Sequence, residues 1–111
     1  MISSCSVIIR KPMGAEAATL GVRAAWAMFT NASLDVSIIL MGDGVYSALG
    51  KDGYIKQMYE RFIGQDGNVY AVQEDLQARG VDAKTLPQGV SVIPASQVSG
   101  LVEDSDSIMT F

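Results

Sequence analysis

Residues 42–53, GDGVYSALGKDG, follow an apolar run at once and hold the most distinctive polar chemistry in the chain. Two glycines around Asp43 permit backbone geometries and close approaches that a side chain forbids. The carboxylate of Asp43 suits two tasks, capping the following turn or orienting a ligand or a neighbouring subunit. Asp-Gly pairs are ordinary turn chemistry, so the first task is the commoner. The stretch has neither the GxxxxGK[ST] spacing of a phosphate loop nor a dinucleotide GxGxxG. Glu74 and Asp75 are adjacent and do not face each other as a general acid and base would; they read as a solvated helix start. Asp104 and Asp106 alternate in a loop too short and too poor in ligands for calcium. There is one cysteine, Cys5, and no histidine. Ser–His and Cys–His pairs are therefore excluded, as is a multi-cysteine zinc site. No metal site and no cofactor are expected, and Cys5, in an apolar run, reads as an inert buried thiol.

The frame that positions these groups follows from length and pattern. A chain of 111 residues, 49% hydrophobic and 18% charged, fits one compact domain over residues 1–111. The net charge of −4 and the scatter of eight basic residues argue against a nucleic-acid surface. No run approaches the roughly 20 apolar residues of a membrane span, and no secretory leader is evident. A cytoplasmic protein without membrane contact is expected.

Short, β-branched runs recur at residues 5–9, 36–41, 69–72, 90–93 and 108–111. They are nearly continuous, the pattern of strands covered on both faces in a parallel sheet. Helical periods lie between them, which implies βαβ units and a three-layer α/β/α sandwich. The first helix is expected from about residue 14 to 31, with Val22, Ala25, Trp26 and Phe29 on one stripe. Leu20, Ala24 and Ala27 make a second apolar face, most easily covered by another subunit. The second helix, 54–63, places Ile55, Met58, Tyr59 and Phe62 on the core. A short third helix closes at Gly80. A fourth, about 95–102, lays Val98, Leu101 and Val102 on the sheet.

In such sheets ligands bind beyond the carboxyl ends of the strands, where the winding reverses. Three loops reach that rim, residues 10–17, 42–53 and 73–75. Their candidate ligand contacts are Pro12, Gly14, Gly42, Asp43, Gly44, Val45, Tyr46, Gln73 and Glu74.

With the elements in place, the chain resembles the DsrE/DsrF-like family, small α/β proteins of sulfur relays that include TusC and TusD. The resemblance rests on four segments in order: RKPMGAEAATLGVRAAWAM, GDGVYSAL, the short helix closing on ARGVD, and SDSIMTF. It implies a parallel five-stranded sheet of Rossmann or flavodoxin-like architecture, and subunits that assemble into homo- or hetero-oligomers. TusD-like members carry a persulfide on a cysteine between the third strand and its helix, about eight residues before the Arg-Gly of the helix end. In this chain that position is Val72, which neither ionises nor bonds sulfane sulfur. TusB-like members place a working cysteine near the C-terminus, and this chain has none there. The resemblance therefore implies a non-catalytic, DsrF/TusC-like subunit that assembles with cysteine-bearing relatives. The alternative is a homo-oligomer of the same fold that holds a small ligand near residues 42–46, with no part in sulfur transfer. Transfer through Cys5, remote from the rim, ranks below both.

Overall fold

A computed structural model of the chain describes residues 3–11, 16–31, 34–49, 54–65 and 67–111. Five strands, β1 (Ser4–Ile9), β2 (Asp35–Leu40), β3 (Asn68–Val72), β4 (Val90–Ile93) and β5 (Ser107–Thr110), form one sheet. Four helices connect them: α1 (Glu16–Asn31), α2 (Tyr54–Gly64), α3 (Gln73–Ala78) and α4 (Val98–Glu103). Every strand pair is parallel, and the order is β4-β3-β2-β1-β5. The chain thus steps in one direction from β1 to β4 and then returns past its own start, so the winding reverses at β1. The fold is the α/β architecture expected, with helices joining a five-stranded parallel sheet.

Period-two alternation sorts the strand residues onto two faces. Val7 and Ile9, Val36, Ile38 and Leu40, and Val69 and Ala71 face the larger core layer, under α1, α2 and Leu76 of α3. Ile39, Val72 and Ile93 face the other layer, where Val98, Leu101 and Val102 of α4 cover them. On α1, Ala18, Gly21, Val22 and Ala25 are buried, the i, i+3, i+4, i+7 stripe that an amphipathic helix turns to a sheet. Trp26 and Phe29 sit at its edge, and Phe29 packs against Phe62 of α2 with ring centroids 4.9 Å apart and ring planes tilted by 56°. Met58, Tyr59 and Phe62 are core as expected; the side chain of Ile55 lies outside the described residues.

The expectation that all five runs are covered on both faces is corrected at the two edges. Val92 of β4 and Ile108 and Met109 of β5 are exposed. An edge strand has a neighbour on one side only, and the six-residue α4 is too short to span the sheet. Leu20, Ala24 and Ala27 stand on the outward side of α1, where Leu20 is 47% exposed.

The last strand is fastened to the first by polar contacts outside the ladder. Asp106 accepts hydrogen bonds from Ser3 N (2.8 Å), Ser3 Oγ (2.7 Å) and Ser4 N (3.2 Å). These bonds, from the Ser3 backbone first, hold its carboxyl below the usual aspartate range. The hydroxyls of Ser6 and Ser105 also meet.

Candidate functional site at the carboxyl rim

β2 ends at Leu40, and Met41, in extended geometry, leads into a 3₁₀ turn over Gly42–Ala48. Met41 N donates to Ile9 O at 3.0 Å, and Gly44 N folds back to Met41 O at 2.8 Å. The turn therefore lies directly on the end of β1. A Cβ at Gly44 would stand 1.8 Å from Ile9 O and 2.6 Å from Ile9 C, a position no side chain can occupy. This is the close approach that the glycines of GDG make possible. Val45 plugs the turn into the core, and Ser47 Oγ bonds the buried hydroxyl of Tyr59 at 2.8 Å. Burial pushes the Tyr59 hydroxyl well above the ordinary tyrosine value, with the Ser47 bond opposing in part.

The charged groups of the rim bond to one another and to the loops. Asp75 Oδ2 accepts from Gly42 N at 2.9 Å. Arg79 Nε donates to Asp43 Oδ1 at 2.9 Å, and its Nη1 donates to Asp75 O at 3.2 Å and lies 3.5 Å from Asp75 Oδ1. Both carboxylate oxygens of Glu74 accept from Ala95 N, at 3.0 and 3.1 Å.

Two expectations are corrected here. Asp43 does not cap the turn that follows; the cap position is Met41 and makes no side-chain bond. Its carboxylate turns to Arg79 instead. Glu74 and Asp75 are not a merely solvated helix start. They reach across to the loops after β4 and β2, where backbone N–H groups without ladder partners need acceptors. Arg79 was absent from the candidates. Its spacing from Asp75, i to i+4, was the available signal.

The expected ligand contacts fall into four sets. Gly42 and Asp43 line a cleft of about 390 Å³ together with Arg10, Lys11, Arg79, Thr110 and Phe111. Gly44 and Val45 are buried beneath it, and Tyr46 is half-buried. Gln73 and Glu74 are exposed, and Glu74 serves the far loop at Ala95. Pro12 and Gly14 lie outside the described residues.

Val72 ends β3 and is the N-cap of α3, with φ −78° and ψ 122°. It is 1% exposed and packs with Ile39, Ile93 and Val98 under α4. Cys5 is buried near the opposite end of β1, paired in register with Val36 and Ser107. Burial pushes its thiol up, with a side-chain bond to Ser107 opposing. Among the described residues no group of three or more histidine, cysteine or acidic side chains is arranged to hold a metal. No helix among them is long and apolar enough to cross a membrane.

Comparison with known proteins places this geometry among relatives. A family model described as "DsrH like protein" matches residues 24–108. The protein TusC homolog of Vibrio vulnificus (strain CMCP6) is 31% identical over 86 residues, which cover 68% of this chain and 71% of that protein. The crystal structure of the ychN protein from E. coli matches with a TM-score of 0.86 and 27% identity, over 100% of both chains. The protein of unknown function MTH1491 from Methanobacterium thermoautotrophicum matches with a TM-score of 0.77 over 96% of this chain and 97% of that one. At 20% identity it speaks for the fold alone.

Proposed function

The chain belongs to the DsrH-like family of sulfur-relay proteins, and from that premise we propose that it is a non-catalytic, DsrF/TusC-like subunit of a sulfur-relay complex. In this reading residues 1–111 act as one domain in the cytoplasm, and cysteine-bearing relatives carry the sulfur while this chain shapes the assembly.

The observation that carries the proposal is Val72. The position that matches the persulfide cysteine of TusD-like members holds a side chain that cannot form a persulfide. It is also sealed, 1% exposed beneath α4. A relay cysteine must meet a donor and an acceptor in turn, which a position under a helix does not allow. Cys5 does not substitute, being buried at the other end of the sheet with its thiol pushed up. The exposed apolar side of α1, with Leu20, Ala24 and Ala27 beside Trp26, supports the assembly half of the reading, because large apolar side chains at a surface favour cover by a partner.

The test is gentle affinity purification of the chain from its native host, read by native mass spectrometry. A stable complex with a relative that carries a cysteine at the rim is the expected result. A homo-oligomer with no such relative overturns the subunit reading and moves the weight to the ligand-binding alternative.

A further inference from the structure

We propose that the cleft over the carboxyl end of β1 binds a small molecule by an oxyanion group, held by Arg79, Arg10 and Lys11. The proposal does not rest on the subunit reading, since all its elements lie in one chain.

Position is the first observation. β1 pairs with β2 on one side and β5 on the other, and the chain reverses its winding there. β5 returns to the side of β1 away from β2, so the switch in strand order falls between β1 and β5, where such sheets leave a crevice. Here it is lined by Arg10 and Lys11 after β1, Gly42 and Asp43 after β2, and Thr110 and Phe111 of the β5 end. Its volume, about 390 Å³, is within the roughly 300–1,000 Å³ of small-molecule sites. That exceeds what a lone oxyanion fills and leaves room for a ligand body beyond its charged end.

Charge is the second. The chain has 12 acidic and 8 basic residues, yet among the charged side chains that line this cleft three are basic and one, Asp43, is acidic. Asp43 and Asp75 more than offset Arg79, so the net attraction comes from the two further cations, Arg10 and Lys11, which leave the cluster positive. Both are exposed, and their side chains have no partner among the described residues.

The third is the state of Arg79. Its Nε and Nη1 are engaged by Asp43 and Asp75, which fix the plane of the guanidinium. Its Nη2 has no partner among the described residues. A Cβ at Gly42 would sit 3.8 Å from that Nη2, so the glycine leaves this edge of the guanidinium uncovered at the cleft. A guanidinium held in place loses little freedom when it takes an oxyanion. The purely structural alternative, a surface ion pair, explains Asp43 and Asp75 but gives no reason for Arg10 and Lys11 to face the same space.

The test is a titration of the isotopically labelled chain with inorganic phosphate at constant ionic strength, with chloride as the reference anion, followed through backbone amide resonances. Saturable shifts at Gly42, Asp43, Arg79 and Thr110 are expected. The double variant Arg10→Gln/Lys11→Gln, which alters only exposed side chains, is expected to weaken the binding by roughly tenfold or more, and Lys84→Gln to leave it unchanged. Parallel titrations with sulfate and acetate tell a tetrahedral oxyanion from a carboxylate as the preferred group. Absence of saturable shifts with all three anions into the tens of millimolar, or shifts unaltered in the double variant, overturns the proposal. Neither result depends on whether a complex with relatives is recovered.

Discussion

Val72→Cys restores the atom that the family position lacks, and the structure predicts that the new thiol stays inert. Valine and cysteine are close in size, so the change removes little volume and costs on the order of 1 kcal/mol, small enough to leave the fold intact. An unperturbed thiol has a pKa of about 8.5, which makes it roughly one-tenth thiolate at pH 7.5. At a site 1% exposed among Ile39, Ile93 and Val98, burial raises that pKa. One unit, about 1.4 kcal/mol, already lowers the thiolate fraction to roughly one-hundredth. The start of α3 pulls the other way by typically 0.3–1 kcal/mol at ~one turn's range, less than desolvation supplies. Glu74 and Asp75, whose negative charges would oppose a thiolate, have their carboxylates bonded to Ala95 N, Gly42 N and Arg79, so burial is the main barrier. The assay is alkylation by iodoacetamide from pH 7 to 10, with the two cysteines told apart by peptide mass. The native thiol at position 72 should react at least roughly tenfold more slowly at pH 7.5 than in the denatured chain. A thiol half-ionised below about 8.5 in the native protein, or one that takes sulfane sulfur from a persulfide donor as fast as an exposed thiol, refutes the reasoning.

Three further outcomes are expected. Gly44→Ala puts a methyl group into the Ile9 carbonyl and should cost about 3 kcal/mol or more, read by urea denaturation; a loss under 1 kcal/mol contradicts the fit of the turn on β1. Tyr59→Phe leaves Ser47 without its partner and should cost about 1–3 kcal/mol. Because the folded-state pKa of Tyr59 is raised, its contribution is constant below the unfolded value near 10 and falls as pH rises beyond it. The variant should therefore lose less stability than the parent above pH ~10. Asp106, whose folded pKa is lowered, contributes above the unfolded value near ~4 and loses that contribution as pH falls below it. Asp106→Asn should flatten acid unfolding in that window, and an NMR titration should find its carboxyl ionising below the ordinary range.

The strands were legible because β-branched runs of four to six residues carry their own signal, and the ends observed differ by a residue or so from those expected. The glycines of GDG were legible as a demand for close approach, and Gly44 shows what is approached. The role of Arg79 was not, because it arises only when the end of α3 comes to rest beside the turn after β2, a contact across 36 residues of sequence. Glu74 and Asp75 misled for the same reason. A carboxylate in a first helical turn looks solvated until the loops of other strands deliver N–H groups to it. The exposure of Ile108 also escaped, since an apolar run reads alike in the centre of a sheet and at its edge.

The pairing of β5 with β1 has a consequence in time. Between them lie nearly a hundred residues, and the entropy of closing such a loop is about 4 kcal/mol. Once β1 to β4 have assembled, the remaining connection is only residues 94–106, whose closure costs about 2 kcal/mol. The difference favours late docking of β5 by roughly twentyfold. A chain made from its N-terminus meets the same order, since β5 is synthesised after the other four strands. The bonds from Ser3 and Ser4 to Asp106 and the meeting of Ser6 with Ser105 are then the latch of a sheet already four strands wide, made at the final step of folding.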